Sequence, residues 1–106
     1  MGKYLFKANY TQEGSGGLVS EGGVRRREAL TQTVEGMGGS MEAFYYAFGG
    51  TDAYMIVDLP DDATATAIAL TIARAGVLTI ETTVLITPET VDEAVGKEVP
   101  YRVPSS

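Results

Sequence analysis

Apolar and polar positions alternate from the start of the chain. In KYLFKANY, residues 3–10, Tyr4, Phe6, Ala8 and Tyr10 fall on one side and Leu5, Lys7 and Asn9 on the other. That period of two predicts a strand. Residues 11–17 are glycine-rich and read as turn-like. From Leu18 to Met37 the period lengthens. Leu30, Val34 and Met37 share one helical face, with Arg26 and Arg27 one turn earlier on the same side. Gly22-Gly23 interrupts this stretch. Glycine in a helix interior costs about 1 kcal/mol, so a short first turn and a restart near Val24 are expected. Gly38-Gly39 marks the end of the helix.

Two further strands are predicted at residues 41–48, MEAFYYAF, and 53–59, AYMIVDL. Gly49-Gly50-Thr51-Asp52 joins them as a tight hairpin. Pro60-Asp61-Asp62 opens a second helix with Asp61 as N-cap. Its inner stripe is Ala65, Ile68, Ala69, Ile72 and Ala75, and Gly76 stops it. LTIETTVLI, residues 78–86, is β-branched and predicts a fourth strand. Thr87-Pro88-Glu89 starts a short last helix, with Pro88 at its first position. The order is βαββαβ plus a C-terminal helix, a ferredoxin-like α+β arrangement. One domain is expected over residues 1–106, with its core at about 3–96 and a loosely attached tail at 97–106.

The hairpin sets Phe44, Tyr46 and Phe48 on one face with Met55 and Val57. The other face holds Met41, Ala43, Tyr45, Ala47, Tyr54 and Ile56. Ala43 and Ala47 are small enough for helices to approach, so this second face is expected under the helices. Tyr4, Phe6 and Ala8 and Ile80, Thr82, Val84 and Ile86 would join it. The face turned away would then carry Lys7, Asn9, Glu42, Phe44, Tyr46, Phe48, Met55, Val57, Glu81, Thr83 and Leu85. So large an apolar area calls for a cover. A second copy packed sheet to sheet, a dimeric α+β barrel, is the expected one.

Composition narrows the chemistry. The chain has no Cys and no His, which removes disulfides, the usual zinc sites and histidine-based nucleophilic catalysis. No metal site and no cofactor is expected. The net charge of −6 argues against nucleic acid as a partner. No apolar run approaches the ~18 residues of a membrane span, and MGKYLFKANY lacks the apolar core of a signal peptide. A cytoplasmic protein is expected.

The stretch EGSGGLVSEGGVRRREAL, residues 13–30, invites comparison with a phosphate-binding loop. Gly14 and Gly16 have the first spacing of a dinucleotide fingerprint, but Val19 stands where its third glycine belongs. The antiparallel topology also lacks the required crossover. A helix restarting near Val24 could instead hold a small carboxylate or phosphate between free N–H groups and Arg26 or Arg27. The plainer reading is a helix end brought close to the sheet, with solvated arginines. Glu42 and Tyr46 share one face of one strand and are the candidate catalytic pair. Lys7, Asn9, Glu81 and Thr83 are expected near them as ligand-binding candidates, with Arg26 and Arg27 reaching in from the helix. A desolvated Glu42 would serve as a general acid or base. Paired with Lys7 or an arginine, it would be structural.

KYLFKANYTQEG, SEGGVRRREAL, GGSMEAFYYAFGGTDAYMIVDLPD and TTVLITPETVDEAV together resemble the GYD domain family over roughly residues 2–102. These are small bacterial and archaeal proteins of uncharacterised function. The name-giving Gly-Tyr-Asp motif stands here as Gly50, Thr51 and Asp52. The turn residues are kept and the Tyr ring is absent. The resemblance implies a dimeric α+β barrel and no particular reaction. The expected function is a homo-oligomer binding a small anionic or polar metabolite in the cleft on the sheet face away from the helices. The alternative is a cofactor-free enzyme of oxygenase, isomerase or lactone chemistry using Glu42, Tyr46 and an arginine.

Overall fold

A computed structural model describes residues 2–105; Met1 and Ser106, the ends of the expected domain span, lie outside them. The elements are β1 (Gly2–Tyr10), α1 (Gln12–Glu21), α2 (Gly23–Gly36), β2 (Ser40–Tyr46), β3 (Ala53–Leu59), α3 (Asp62–Ala75), β4 (Leu78–Leu85) and α4 (Pro88–Val95). The four strands form one antiparallel sheet in the order β2-β3-β1-β4. This is the ferredoxin-like α+β fold.

The expected turn at residues 11–17 is a helix, α1. Thr11 caps it, its hydroxyl accepting from the Gly14 N–H at 3.1 Å, and Glu13 in the first turn suits the positive helix end. Of its glycines, Gly14 is needed for close contact with the turn before β4. A Cβ there would lie 1.9 Å from the Val77 carbonyl oxygen. Gly22 then separates the helices at φ +87, a left-handed conformation that L side chains rarely adopt. The chain restarts as α2 one residue before Val24. Arg26 bridges the break, its Nη1 3.6 Å from Glu21 Oε2.

Leu30 and Val34 of α2 and Ala65 and Ile68 of α3 are buried against the sheet, whereas Met37 is largely exposed. Both α3 and α4 start as their sequences require. The Asp61 carboxylate accepts from the Thr64 N–H at 2.8 Å, and the Thr87 hydroxyl accepts from the Thr90 N–H at 3.2 Å. Residues 97–105 carry no regular element and are exposed.

The face assignment of the hairpin is corrected. Phe6 pairs with Met55 and Tyr4 with Val57 across β1 and β3. Phe44 pairs with Met55 and Tyr46 with Ala53 across β2 and β3. Thus Phe44, Tyr46, Met55 and Val57 lie under the helices with Tyr4, Phe6 and Ala8, and the alternate set faces outward. Tyr4, Phe6, Ala8, Ala53, Met55, Val57, Leu59 and Leu78 form the sheet's share of the core. Bulk decides the side: filling a core with Phe, Met and Val removes far more apolar surface from water than filling it with two alanines. Asp58, in phase with Tyr54 and Ile56, also belongs on the open face.

Candidate functional site

The open face is now defined by register. Its middle row is Ala43, Ile56, Leu5 and Thr83, flanked on one side by Tyr45, Tyr54, Lys7 and Glu81 and on the other by Asp58, Lys3 and Leu85. A bulge between Met41 and Ala43 displaces Glu42. Lys3 Nζ takes up its carboxylate, at 2.6 Å from Oε2, and lies 3.4 Å from Asp58 Oδ2. The bond to Glu42 leads in raising the Lys3 pKa above its ordinary value. Asp58 Oδ1 is buried with no hydrogen-bond partner. Lys7 Nζ sits 3.7 Å from Glu81 Oε1, and Thr83 lies beside Leu5.

Lys7, Asn9, Glu42, Glu81 and Thr83 therefore do share the open face, as expected, but Tyr46 does not. It lies on the helix side, where its hydroxyl donates to the Gly23 carbonyl at 2.9 Å. Glu42 is half-exposed and ion-paired to Lys3, so it is a solvated carboxylate. The two candidate catalytic groups are on opposite faces of the sheet. A cofactor-free reaction needing both in one cleft has no such cleft to use.

The arginines also part company. Arg26 turns toward α1 and Glu21. Arg27 and Thr31 of α2 form one wall of a groove of about 450 Å³ along edge strand β2, with Met41, Glu42 and Tyr45 on the other. Arg27 and Glu42 thus meet in one groove without forming an ion pair.

A second hollow, of about 430 Å³, opens where α1 breaks into α2 above the end of the sheet. Tyr10, Leu18, Tyr46, Phe48 and Asp52 line it. Burial leads in pushing the Tyr46 pKa up to about 12, with the Tyr10 hydroxyl adding to the shift and Arg26 and Arg27 opposing it. Tyr10 Oη is itself buried and has no partner in hydrogen-bond geometry.

The hairpin motif explains how this end is held. Asp52 Oδ2 accepts from the Tyr10 N–H at 2.9 Å. The Asp52 N–H donates to the Ala8 carbonyl at 3.0 Å and is also within 3.1 Å of Asn9 Oδ1. Its carbonyl accepts from the Ala47 N–H at 2.8 Å. Asp52 closes the hairpin and ties it to β1, while Phe48 at the tip is fully exposed. The place of Asp52 in the hairpin turn was read from the sequence, but its tie to β1 and the place of Tyr10 in the hollow were not. The available signal was Tyr10's phase with Phe6 and Ala8 at the strand end.

Among the described residues no group of three acidic side chains converges to hold a metal ion, and no helix is long and apolar enough to cross a membrane. The fold and this hairpin tie define a small α+β sheet domain with one face under helices and one face open. The chain belongs to the GYD domain family, whose model matches residues 4–95. No curated protein and no solved structure matches it.

Proposed function

We propose that the protein works as a homo-oligomer, the open sheet face of one chain packing on that of a second copy. One observation carries this: Leu5, Ile56, Ala43 and Leu85 lie on a face that no helix covers. Charge makes a second copy the fitting partner. The chain carries −6, so like molecules repel over most of their surface. The open face holds Lys3 and Lys7 against Glu42, Asp58 and Glu81, two positive and three negative groups, and is nearly neutral. A two-fold axis can set each lysine opposite a carboxylate of the other copy.

Within the same proposal, the small anionic or polar metabolite expected from the sequence sits in the Arg27–Glu42 groove at the rim of this face. Arg27 would take a carboxylate or phosphate. A bacterial, cytoplasmic setting belongs to the proposal as well. Sedimentation or light scattering at micromolar concentration tests the assembly. A dimer or larger is expected from the natural chain and a monomer from Ile56→Lys. A natural chain that remains monomeric refutes it.

A further inference from the structure

The C-terminal segment is the part of the molecule that the fold does not absorb. Helix α4 buries no residue, and Val95, Val99, Tyr101 and Val103 are all exposed. The radius of gyration is 17.3 Å, against about 13 Å for a compact domain of ~100 residues. The segment therefore extends away from its own sheet.

Its pattern is specific. In Val99-Pro100-Tyr101-Arg102-Val103-Pro104 the apolar side chains alternate with two prolines and an arginine. In an extended strand the N–H and C=O of alternate residues point to opposite edges. The two missing N–H groups, of Pro100 and Pro104, therefore fall on one edge. Val99, Tyr101 and Val103 keep all their donors on the other. Such a segment can pair on one edge only, the place proline takes in a sheet.

Edge strand β4 offers the complement. The Thr11 N–H donates to the Val77 carbonyl at 3.1 Å, and Thr11 continues the β1–β4 register opposite Val77. Odd-numbered positions along this line thus bond toward β1. By alternation, Ile80, Thr82 and Val84 turn their backbone groups outward to the free edge. Their side chains lie on the helix side of the sheet, yet Val84 is 60% exposed and Ile86 64%. Glu81, on the open face, is 74% exposed at its side chain.

We propose that residues 99–103 of one chain add antiparallel, as a fifth strand, to the β4 edge of a second copy. Val99, Tyr101 and Val103 then stand opposite Val84, Thr82 and Ile80 of that copy. The same register puts Arg102 opposite Glu81 on the open face. Val99, Tyr101 and Val103 extend the helix side, the charged pair meets on the other face, and the prolines blunt the new edge. In the single chain the Tyr101 N–H is turned onto the Val99 carbonyl at 2.8 Å, a local bond released when the segment extends. This deepens the self-assembly reading and rests on it.

The absence of cysteine from the sequence makes the test clean. Glu81→Cys and Arg102→Cys chains are prepared separately, mixed and oxidised, and the joined peptides are identified by mass. A disulfide between position 81 of one chain and 102 of the other is expected. Adding Tyr101→Pro to the Arg102→Cys chain puts a proline on the pairing edge and should cut the yield about tenfold or more. No mixed disulfide, or a yield unmoved by Tyr101→Pro, overturns the proposal. So does a bridge that forms only within a Glu81→Cys/Arg102→Cys double variant, since the tail would then pair with its own sheet. Sedimentation of the natural chain separates the two readings. An oligomer without the 81–102 bridge sinks the strand exchange alone, and a monomer sinks both.

Discussion

Replacing Gly14 with alanine should destabilise the protein, although alanine is the better helix former. Gly14 lies inside α1, where an alanine would ordinarily add about 1 kcal/mol. Here the new Cβ would stand 1.9 Å from the Val77 carbonyl oxygen and 2.8 Å from its carbon. Helix α1 must retreat by about 1 Å to relieve that contact, and overpacking of this kind costs about 1–3 kcal/mol. Retreat also strains two bonds that fasten the helix start to the α3–β4 turn. These are Thr11 N–H to Val77 C=O at 3.1 Å and the Thr11 hydroxyl to Gly76 C=O at 2.7 Å. Each is worth about 1 kcal/mol. The net loss is about 2–4 kcal/mol, a fall in Tm of roughly 10–20 °C for a domain of this size. Gly16 and Gly17, in the same helix, would place a Cβ in open space, so alanine there should add about 0.5–1 kcal/mol. Urea and thermal unfolding by circular dichroism, at one protein concentration because assembly shifts apparent stability, measure all three. A Gly14→Ala protein as stable as Gly16→Ala would refute the close approach of α1 to the turn.

Asp52→Ala leaves the Tyr10 N–H without its acceptor and should cost about 2–3 kcal/mol in urea unfolding. Asp52→Asn keeps a carbonyl oxygen in place and should cost about 1 kcal/mol; equal losses would show that the charge, not the bond, matters. Tyr46 and Tyr4 are both pushed up to about 12, Tyr46 chiefly by burial and Tyr4 chiefly by donating its hydroxyl proton to Asp62. A raised pKa means the folded state holds the proton more tightly. The stability this brings is whole below the ordinary tyrosine value of about 10 and is lost as pH rises from there through 12. Absorbance of tyrosinate should show two late-titrating groups, one missing in Tyr46→Phe and the other in Tyr4→Phe. Leu5→Lys, at the centre of the open face, should yield a folded monomer by light scattering with an unchanged far-ultraviolet spectrum.

Element order was legible because caps and periods agreed. Asp61, Thr87 with Pro88, and Gly76 delimit their helices as their chemistry requires, and β3 occupies residues 53–59 in both readings. The first part of helix α1, residues 12–17, was missed because its sequence is poor in helix formers. What keeps Gly14 is a neighbour about sixty residues away, at Val77, which no local pattern reveals. The side on which the hairpin faces the helices was misread by trusting the small size of Ala43 and Ala47. Asp58 carried the better signal, since its carboxylate marks the phase of β3 that must stay near water or a lysine. Of the candidate site, Lys7, Asn9, Glu42, Glu81 and Thr83 do share a face. Tyr46 followed the hairpin to the other side.

The four backbone and side-chain ties of Asp52 have a consequence for how this protein can vary. They close the hairpin at its base, between Ala47 and Asp52, and leave Phe48, Gly49, Gly50 and Thr51 beyond the clamp. Gly49 keeps a φ of +148 that favours glycine, but none of the ties above comes from those four residues, so the tip can be exchanged as a unit or lengthened while the frame below stays in place. The position where this chain has Thr51 and the motif has tyrosine is one such residue. The hairpin is therefore a graft site, where a short recognition peptide can be displayed at the mouth of the Tyr10–Tyr46 hollow without altering the fold that carries it.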